Sequence, residues 1–288
     1  MSAVLVEDLT MRYRGHTALR DVNVTFQQDT IHGLLGRNGA GKTTLMRILT
    51  GQEFHTSGRV EVFGQPPREN ASVLDRVCFI RESQRYPSNF KAREAFAAAA
   101  IACPNWDQAY ADRLVADFDL PLKRQIRKLS RGQLSAVGIV IGLAARAPLT
   151  LFDEPYLGLD AVARQIFYDR LLADFAEHPR TIVLSTHLID EVADLVEHVV
   201  VIERGQVLID ADADELRGRA VSVSGPAEAV AAYADGLPVL HRSTLGGRSR
   251  VALPRRPEKR AEGVSVDSLS LQELIVLTTN QGEQGDPR

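Results

Sequence analysis

Cysteine is almost missing from this sequence: Cys78 and Cys103 are its only two. They stand far apart and outside any metal-ligand spacing, which argues against a disulfide framework and fits a reducing compartment. A strong charge of one sign is missing as well. With a formal net charge of -3, the chain has no global positive field for nucleic acid or an anionic membrane surface. Long apolar runs are also missing. The longest, AVGIVIGLAA at 136–145, is about half of the ~20 residues a spanning helix needs, so the chain is not expected to cross a bilayer by itself. The opening MSAVLVEDLTMRYRG carries acids inside its apolar stretch, unlike a secretory signal. No heptad pattern is sustained and no motif recurs. What remains is an ordinary globular composition, 44% hydrophobic and 25% charged over 288 residues. That length allows one large domain, alone or with a small one. Lysine is scarce beside arginine and alanine, a usage that points to a GC-rich bacterial genome.

The first thirty residues read as short strands around a turn at Gly15. From Lys91 to about Arg146 the text turns alanine-rich and helical. Sheet signals resume at LTLFDEP (149–155) and TIVLSTH (181–187), each followed by helix-like text. Such alternation predicts a mostly parallel sheet with flanking helices, the helical block being an insertion. Beyond about Arg217 the pattern predicts a small α+β appendage with a Gly-Gly hairpin. Its arginines, Arg242, Arg248, Arg250, Arg255 and Arg256, read as a solvated hairpin face in preference to a binding patch. The last eight residues, QGEQGDPR, read as a frayed end.

Between the strand-like TIHGLL and the helix-like TTLMRILTG lies GRNGAGKTT (36–44), a full match to G-x-x-x-x-G-K-[ST] in strand–loop–helix context. Gly36, Gly39 and Gly41 allow backbone N–H groups to turn inward around phosphate oxygens, where a Cβ would obstruct the approach. A helix starting near Lys42 adds the positive end of its dipole. Lys42 brings a mobile charge for the outer phosphates and Thr43 a hydroxyl for magnesium. Asn38, Ala40 and Thr44 complete the loop.

LTLFDEP sets two carboxylates at the carboxyl end of a strand, where an open parallel sheet binds ligands. Asp153 is placed to hold magnesium through water, and Glu154 to polarise the attacking water as general base. His187 ends TIVLSTH at the same sheet edge, within reach of a γ-phosphate. In LSRGQ, Ser130 and Gln133 have the spacing of a capping box, so a second helix start offers free N–H groups, a hydroxyl and Gly132 to an anion. One chain does not need two such sites for one γ-phosphate. A dimer does, if each cap closes the other chain's loop.

Over residues 3 to 217 these motifs, in this order, resemble the nucleotide-binding subunit of ABC transporters. GRNGAGKT resembles the Walker A motif, LSRGQ the signature, LTLFDE the Walker B motif, YLGLD the D-loop with Asp160, and STH the switch histidine. Tyr13 in LTMRYRG resembles the aromatic residue that stacks on adenine. The resemblance implies an α/β P-loop NTPase core of the ABC ATPase type. An N-terminal antiparallel β subdomain and an inserted helical subdomain at about 84–146 belong to a nucleotide-binding domain of residues 1–217. The small α+β extension covers 218–288. Two positions depart from the family pattern. Arg131 stands where the signature commonly has Gly, and either Glu82 or Gln84 takes the magnesium-sensing glutamine's place. The ending GVSVDSLSLQELIVLTT resembles that of ATPases serving ABC-2-type exporters.

The implied activity is hydrolysis of Mg-ATP. It would be coupled through head-to-tail pairing with a second ABC subunit, identical or not, to a separate transmembrane permease. The implied location is cytoplasmic, peripheral on the inner face of the cell membrane, and no nucleic-acid partner is expected. The alternatives are a non-transport ABC ATPase acting on translation or DNA and a regulatory module whose tail binds an effector or a sensor protein.

Overall fold

The computed structural model describes residues 1–82, 84–217, 219–254 and 263–284. Its contacts divide the chain into two units, Met1–His187 with His198–Asp210, and Leu188–Glu197 with Ala211–Arg288. The first unit opens with β1 (Ser2–Tyr13), where Leu9, Thr10 and Met11 are buried in succession, and β2 (His16–Gln27). The fully buried β3 (Ile31–Leu35) follows, then α1 (Lys42–Leu49), β4 (Ser57–Val62), a short α2 (Ala71–Leu74) and β5 (Val77–Arg81). Three helices come next: α3 (Ala92–Ala102), α4 (Gln108–Asp117) and α5 (Arg131–Ala144). The chain then returns to sheet with β6 (Leu149–Asp153), α6 (Ala161–Glu177) and β7 (Thr181–Thr186). A hairpin of β8 (His198–Glu203) and β9 (Gln206–Asp212) closes the unit, its two-residue turn made by Arg204 and Gly205 with φ of 48° and 78°.

Two sheets carry this unit. One is antiparallel in the order β2-β1-β4, and the other has the order β5-β6-β7-β3-β8-β9. In the second, β5, β6, β7, β3 and β8 run parallel. Their composition explains their place: β3, β6 and β7 are buried at every residue, as strands covered on both faces must be. Because β3, β6 and β7 are parallel neighbours, their carboxyl ends open on one edge. The loops that follow them converge there.

The apolar run at 136–145 is core text. Val137, Ile139, Val140 and Leu143 of α5 are all fully buried. The helix lies so close to β5 and β6 that a Cβ at Gly142 would come within 2.5 Å of the Phe152 ring. Phe152 in turn meets Phe167 of α6 edge-on at 5.5 Å. Among the described residues no helix is long and apolar enough to cross a membrane.

The second unit contains α7 (Ile189–Val192), α8 (Ala213–Arg217), β10 (Val221–Pro226), α9 (Ala227–Ala234), β11 (His241–Leu245), β12 (Arg248–Leu253), β13 (Ser265–Ser268) and α10 (Leu271–Gln284). Its antiparallel sheet has the order β11-β12-β10-β13. A core of Val221, Val223, Val230, Tyr233, Val251 and Leu253 holds α9 on that sheet. The β11–β12 turn falls at Gly246 and Gly247, whose φ values of 55° and 78° suit a two-residue hairpin. The unit begins at Ala211 and also takes Leu188–Glu197, because α7 and α8 both pack on α10. Sequence reading alone set the boundary after Arg217.

Arg242 and Arg248 are exposed, while Arg250 is tied to Glu273 at 2.6 Å and to Ser222. Arg255 and Arg256 lie outside the described residues. The expected frayed end is helical as far as Gln284, since α10 runs to that residue from a capping box. In that box Glu273 N donates to Ser270 Oγ at 3.1 Å and Ser270 N to Glu273 Oε2 at 3.3 Å. The remaining residues, 285–288, lie outside the description.

Candidate nucleotide site

The loop from β3 to α1 owes its shape to close approaches. A Cβ at Gly36 would sit 2.2 Å from the Ile202 carbonyl oxygen, and one at Gly41, where φ is 114°, 2.7 Å from Leu19. At Gly39 nothing lies within 4 Å and only its φ of 83° calls for glycine. At two of the three positions, therefore, it is the protein itself that leaves no room for a side chain. The first turn of α1, Lys42 to Thr44, lines the same cavity as Asn38 to Gly41 of the loop.

Lys42 is 6% exposed, and its Nζ donates to the Gly36 carbonyl at 2.6 Å and lies 3.4 Å from Glu154 Oε1. A cation held only by acceptor oxygens in this way is free to exchange them for phosphate oxygens. Thr43 Oγ1 donates to Asp153 Oδ2 at 2.7 Å, and Ser185 Oγ donates to Asp153 Oδ1 at 2.6 Å. These two bonds stitch α1, β6 and β7 together through one carboxylate. Glu154 has a φ of 50°, a left-handed conformation uncommon outside glycine, and its Oε2 accepts from His187 Nδ1 at 2.8 Å. The bond assigns the proton of a neutral His187 to Nδ1, since an ionised carboxylate only accepts.

A cavity of about 700 Å³ opens over these groups. Asn38 to Thr44, Asp153, Glu154, His187, Tyr13 and Glu82 line it. Tyr13 stands at the mouth, half-exposed, with its hydroxyl on Glu53. Burial, helped by that carboxylate, pushes its phenol up. Of the two residues weighed for the magnesium-sensing position, Glu82 lines the cavity. Gln84 is not among the lining residues, and its Oε1 is buried without a hydrogen-bond partner among the described residues.

Five residues assigned to nucleotide contact are not among those lining this cavity: Gly36, Ser130, Gly132, Gln133 and Asp160. Ser130 caps α5 as expected, its Oγ accepting from Gln133 N at 3.1 Å while Gln133 Oε1 accepts from Ser130 N at 3.2 Å. Gly132 is pressed on the loop after β6, since a Cβ there would lie 2.6 Å from the Gly158 carbonyl oxygen. Asp160 caps α6 through Ala163 N at 2.8 Å.

Two participants escaped sequence reading. Ser185 could have been suspected, being a hydroxyl near the end of a strand whose sheet neighbours carry the loop and the carboxylates. Tyr156 gives no such signal. It is 3% exposed, and its hydroxyl hydrogen bonds with Glu154 Oε2, Thr186 Oγ1 and the His187 N–H. Burial first, and then the Glu154 carboxylate, push its phenol far up, so it remains a proton donor.

Comparison with known proteins decides the family. Residues 19–157 match the family model described as ABC transporter. The chain is 33% identical over 224 residues to the bacitracin transport ATP-binding protein BcrA of Bacillus licheniformis, covering 76% of this chain and 73% of that protein. The chain belongs to the ABC transporter family. It is the ATP-binding, ATP-hydrolysing subunit, and the cavity at the ends of β3, β6 and β7 belongs to that α/β core. This ABC subunit is also 32% identical over 235 residues to the nickel import ATP-binding protein NikO of Rhodobacter capsulatus, covering 74% of this chain and 91% of that protein. A solved ATP-binding subunit of an ABC transporter superposes with a TM-score of 0.68 at 26% identity, over 75% of this chain and 92% of that one.

Proposed function

We propose that this subunit hydrolyses Mg-ATP between two facing protomers and delivers the resulting motion to a separate membrane permease for export. The observation that carries the reading is the division of labour just described. The phosphate loop, Asp153, Glu154 and His187 share one cavity, while the capped start of α5, with Ser130, Gly132 and Gln133, stands outside it. A second chain brings that cap to the γ-phosphate. In this reading Tyr13 stacks on the adenine, and Asp160 holds the start of α6 beside the facing loop.

Binding exchanges the acceptors around Lys42. Phosphate oxygens replace the Gly36 carbonyl and the Glu154 carboxylate, which frees Glu154 to take a proton from water. His187 keeps Glu154 oriented and faces the γ-phosphate. The water oxygen bonds to the γ-phosphorus as the bond to the ADP oxygen breaks. Its proton passes to Glu154. Loss of the γ-phosphate removes the charge that bridged the two chains, and the dimer opens.

The donor set of Thr43, Asp153 and Glu82 is made of hard oxygens, as magnesium requires, and these residues would hold it. When bound, the ion neutralises charge between the outer phosphates.

The ending GVSVDSLSLQELIVLTT supports export, and the likeness to a bacitracin transport protein supports transport. The likeness to a nickel import protein supports import as a second reading. Co-expression with a polytopic membrane protein, where one is encoded beside this chain, tests the partner. Recovery of both from detergent as one complex is expected, in the cytoplasmic face of the membrane fraction. Recovery with ribosomes instead would overturn the transport reading. ATP turnover should stop when magnesium is chelated, and turnover in its absence would sink the assignment of Thr43, Asp153 and Glu82.

A further inference from the structure

The two oxygens of the Glu154 carboxylate are treated differently. Oε2 accepts from the Tyr156 hydroxyl and from His187 Nδ1 at 2.8 Å. Oε1 is buried and has no hydrogen-bond partner among the described residues, its nearest cation being Lys42 Nζ at 3.4 Å. An acceptor buried without a partner is costly and signals a group whose partner arrives from outside.

The Tyr156 hydroxyl sets this asymmetry. A phenol has one proton to donate and lone pairs with which to accept. The His187 N–H, which can only donate, uses one acceptor position at 3.3 Å, and Thr186 Oγ1 lies 2.5 Å away. The carboxylate, which only accepts, takes the phenol proton. Tyr156 therefore holds Oε2 from one side while His187 holds it from the other. The ring is 3% exposed and follows the carboxylate by two residues on the same loop, so its direction is fixed by packing.

We propose that Tyr156 is the positioning residue that selects Oε1 of Glu154 as the atom that meets the attacking water. The inference rests on the reading of Glu154 as general base. With Lys42 drawn to the phosphates, Oε1 is the carboxylate oxygen left to receive the water proton. Without Tyr156 the carboxylate turns more freely about its last torsion, and fewer of its conformers aim a free oxygen at the cavity.

The test is steady-state ATPase kinetics of the full chain carrying Tyr156→Phe. kcat should fall about ten- to a hundredfold, while KM and the affinity for ATP by calorimetry stay within about twofold. A residue that merely fills space would leave kcat intact in this substitution, and kcat within about twofold of the native value overturns the proposal. Should the variant fold poorly, 4-aminophenylalanine and 4-methylphenylalanine placed at 156 fill the same space with and without a donor. The amino form should retain turnover and the methyl form should lose it; equal kcat values overturn the proposal. Glu154→Gln separates the two levels. If it keeps turnover, the general-base reading fails and takes the Tyr156 role with it. If it stops turnover while Tyr156→Phe does not, only the Tyr156 role falls.

Discussion

The Arg131 guanidinium lies 3.7 Å from the Glu82 carboxylate, tying the head of α5 to the wall of the nucleotide cavity. The two side chains carry opposite charges, and each supplies the charge that answers the other. The side chains are 83% and 45% exposed, so solvent screens the pair and its worth to folding is small. A double-mutant cycle of Glu82→Gln and Arg131→Gly in urea should give a coupling below ~1 kcal/mol. The effect on ligand charge should be larger. Glu82→Gln removes a negative charge from the cavity wall and should tighten metal-free ATP by about two- to tenfold in calorimetry with EDTA. Unchanged or weaker binding would show that Glu82 does not face the phosphates.

Lys42→Ala should lose nucleotide binding itself. The ammonium is the buried cation of the cavity, and charge-assisted bonds to phosphate are the strong ones, so affinity should fall at least about tenfold. The substitution also strips Glu154, 10% exposed, of its cation, and a loss of about 3 kcal/mol in folding stability is expected alongside. Calorimetry showing native affinity would contradict the role given to the lysine.

Gly142→Ala examines the packing of α5. The added methyl would lie 2.5 Å from the Phe152 ring and 2.8 Å from Ile80, deep inside the first unit. Overpacking of this kind costs about 1–3 kcal/mol. Thermal melting should show a lower midpoint, and a midpoint equal to or above the native one would mean that the helix does not lie this close to β5 and β6.

His32 gives the fold a pH dependence. The side chain is fully buried, its Nε2 bonds the Gln27 carbonyl at 3.0 Å, and its ring lies 5.5 Å from that of His198. Burial, only partly opposed by the Gln27 bond, pushes its pKa down from 6.5 to about 4. Between those values the unfolded chain binds a proton that the native chain refuses. Stability from this group is therefore complete above pH 6.5 and is lost as pH falls toward 4. Denaturant melts at pH 7 and 5 should show His32→Gln losing about 2 kcal/mol less than the native chain. Equal losses would remove His32 as the cause.

The phosphate loop and the strand-end carboxylates were readable in the sequence because their chemistry is local. GRNGAGKTT names its own turn, helix start and cation within nine residues. Which of Glu82 and Gln84 lines the cavity was not readable, because the counting is along the chain while the placement depends on how the chain folds. Tyr156 was hidden for a similar reason. Its partners Thr186 and His187 lie some thirty residues away and meet it only when β6 and β7 pair. Nor could the sequence alone say why Gly132 and Gly36 are glycine: each is crowded by a carbonyl from a distant segment, Gly158 in one case and Ile202 in the other. The claim of the second unit on Leu188–Glu197 likewise rests on α10, some eighty residues further on.

Sedimentation velocity of the Glu154→Gln chain, with and without saturating Mg-ATP, probes the shared site most directly. Retained ATP should convert the monomer into a stable dimer, and removing nucleotide should reverse it. A chain that stays monomeric with ATP bound would mean that the capped start of α5 does not close over a facing phosphate loop.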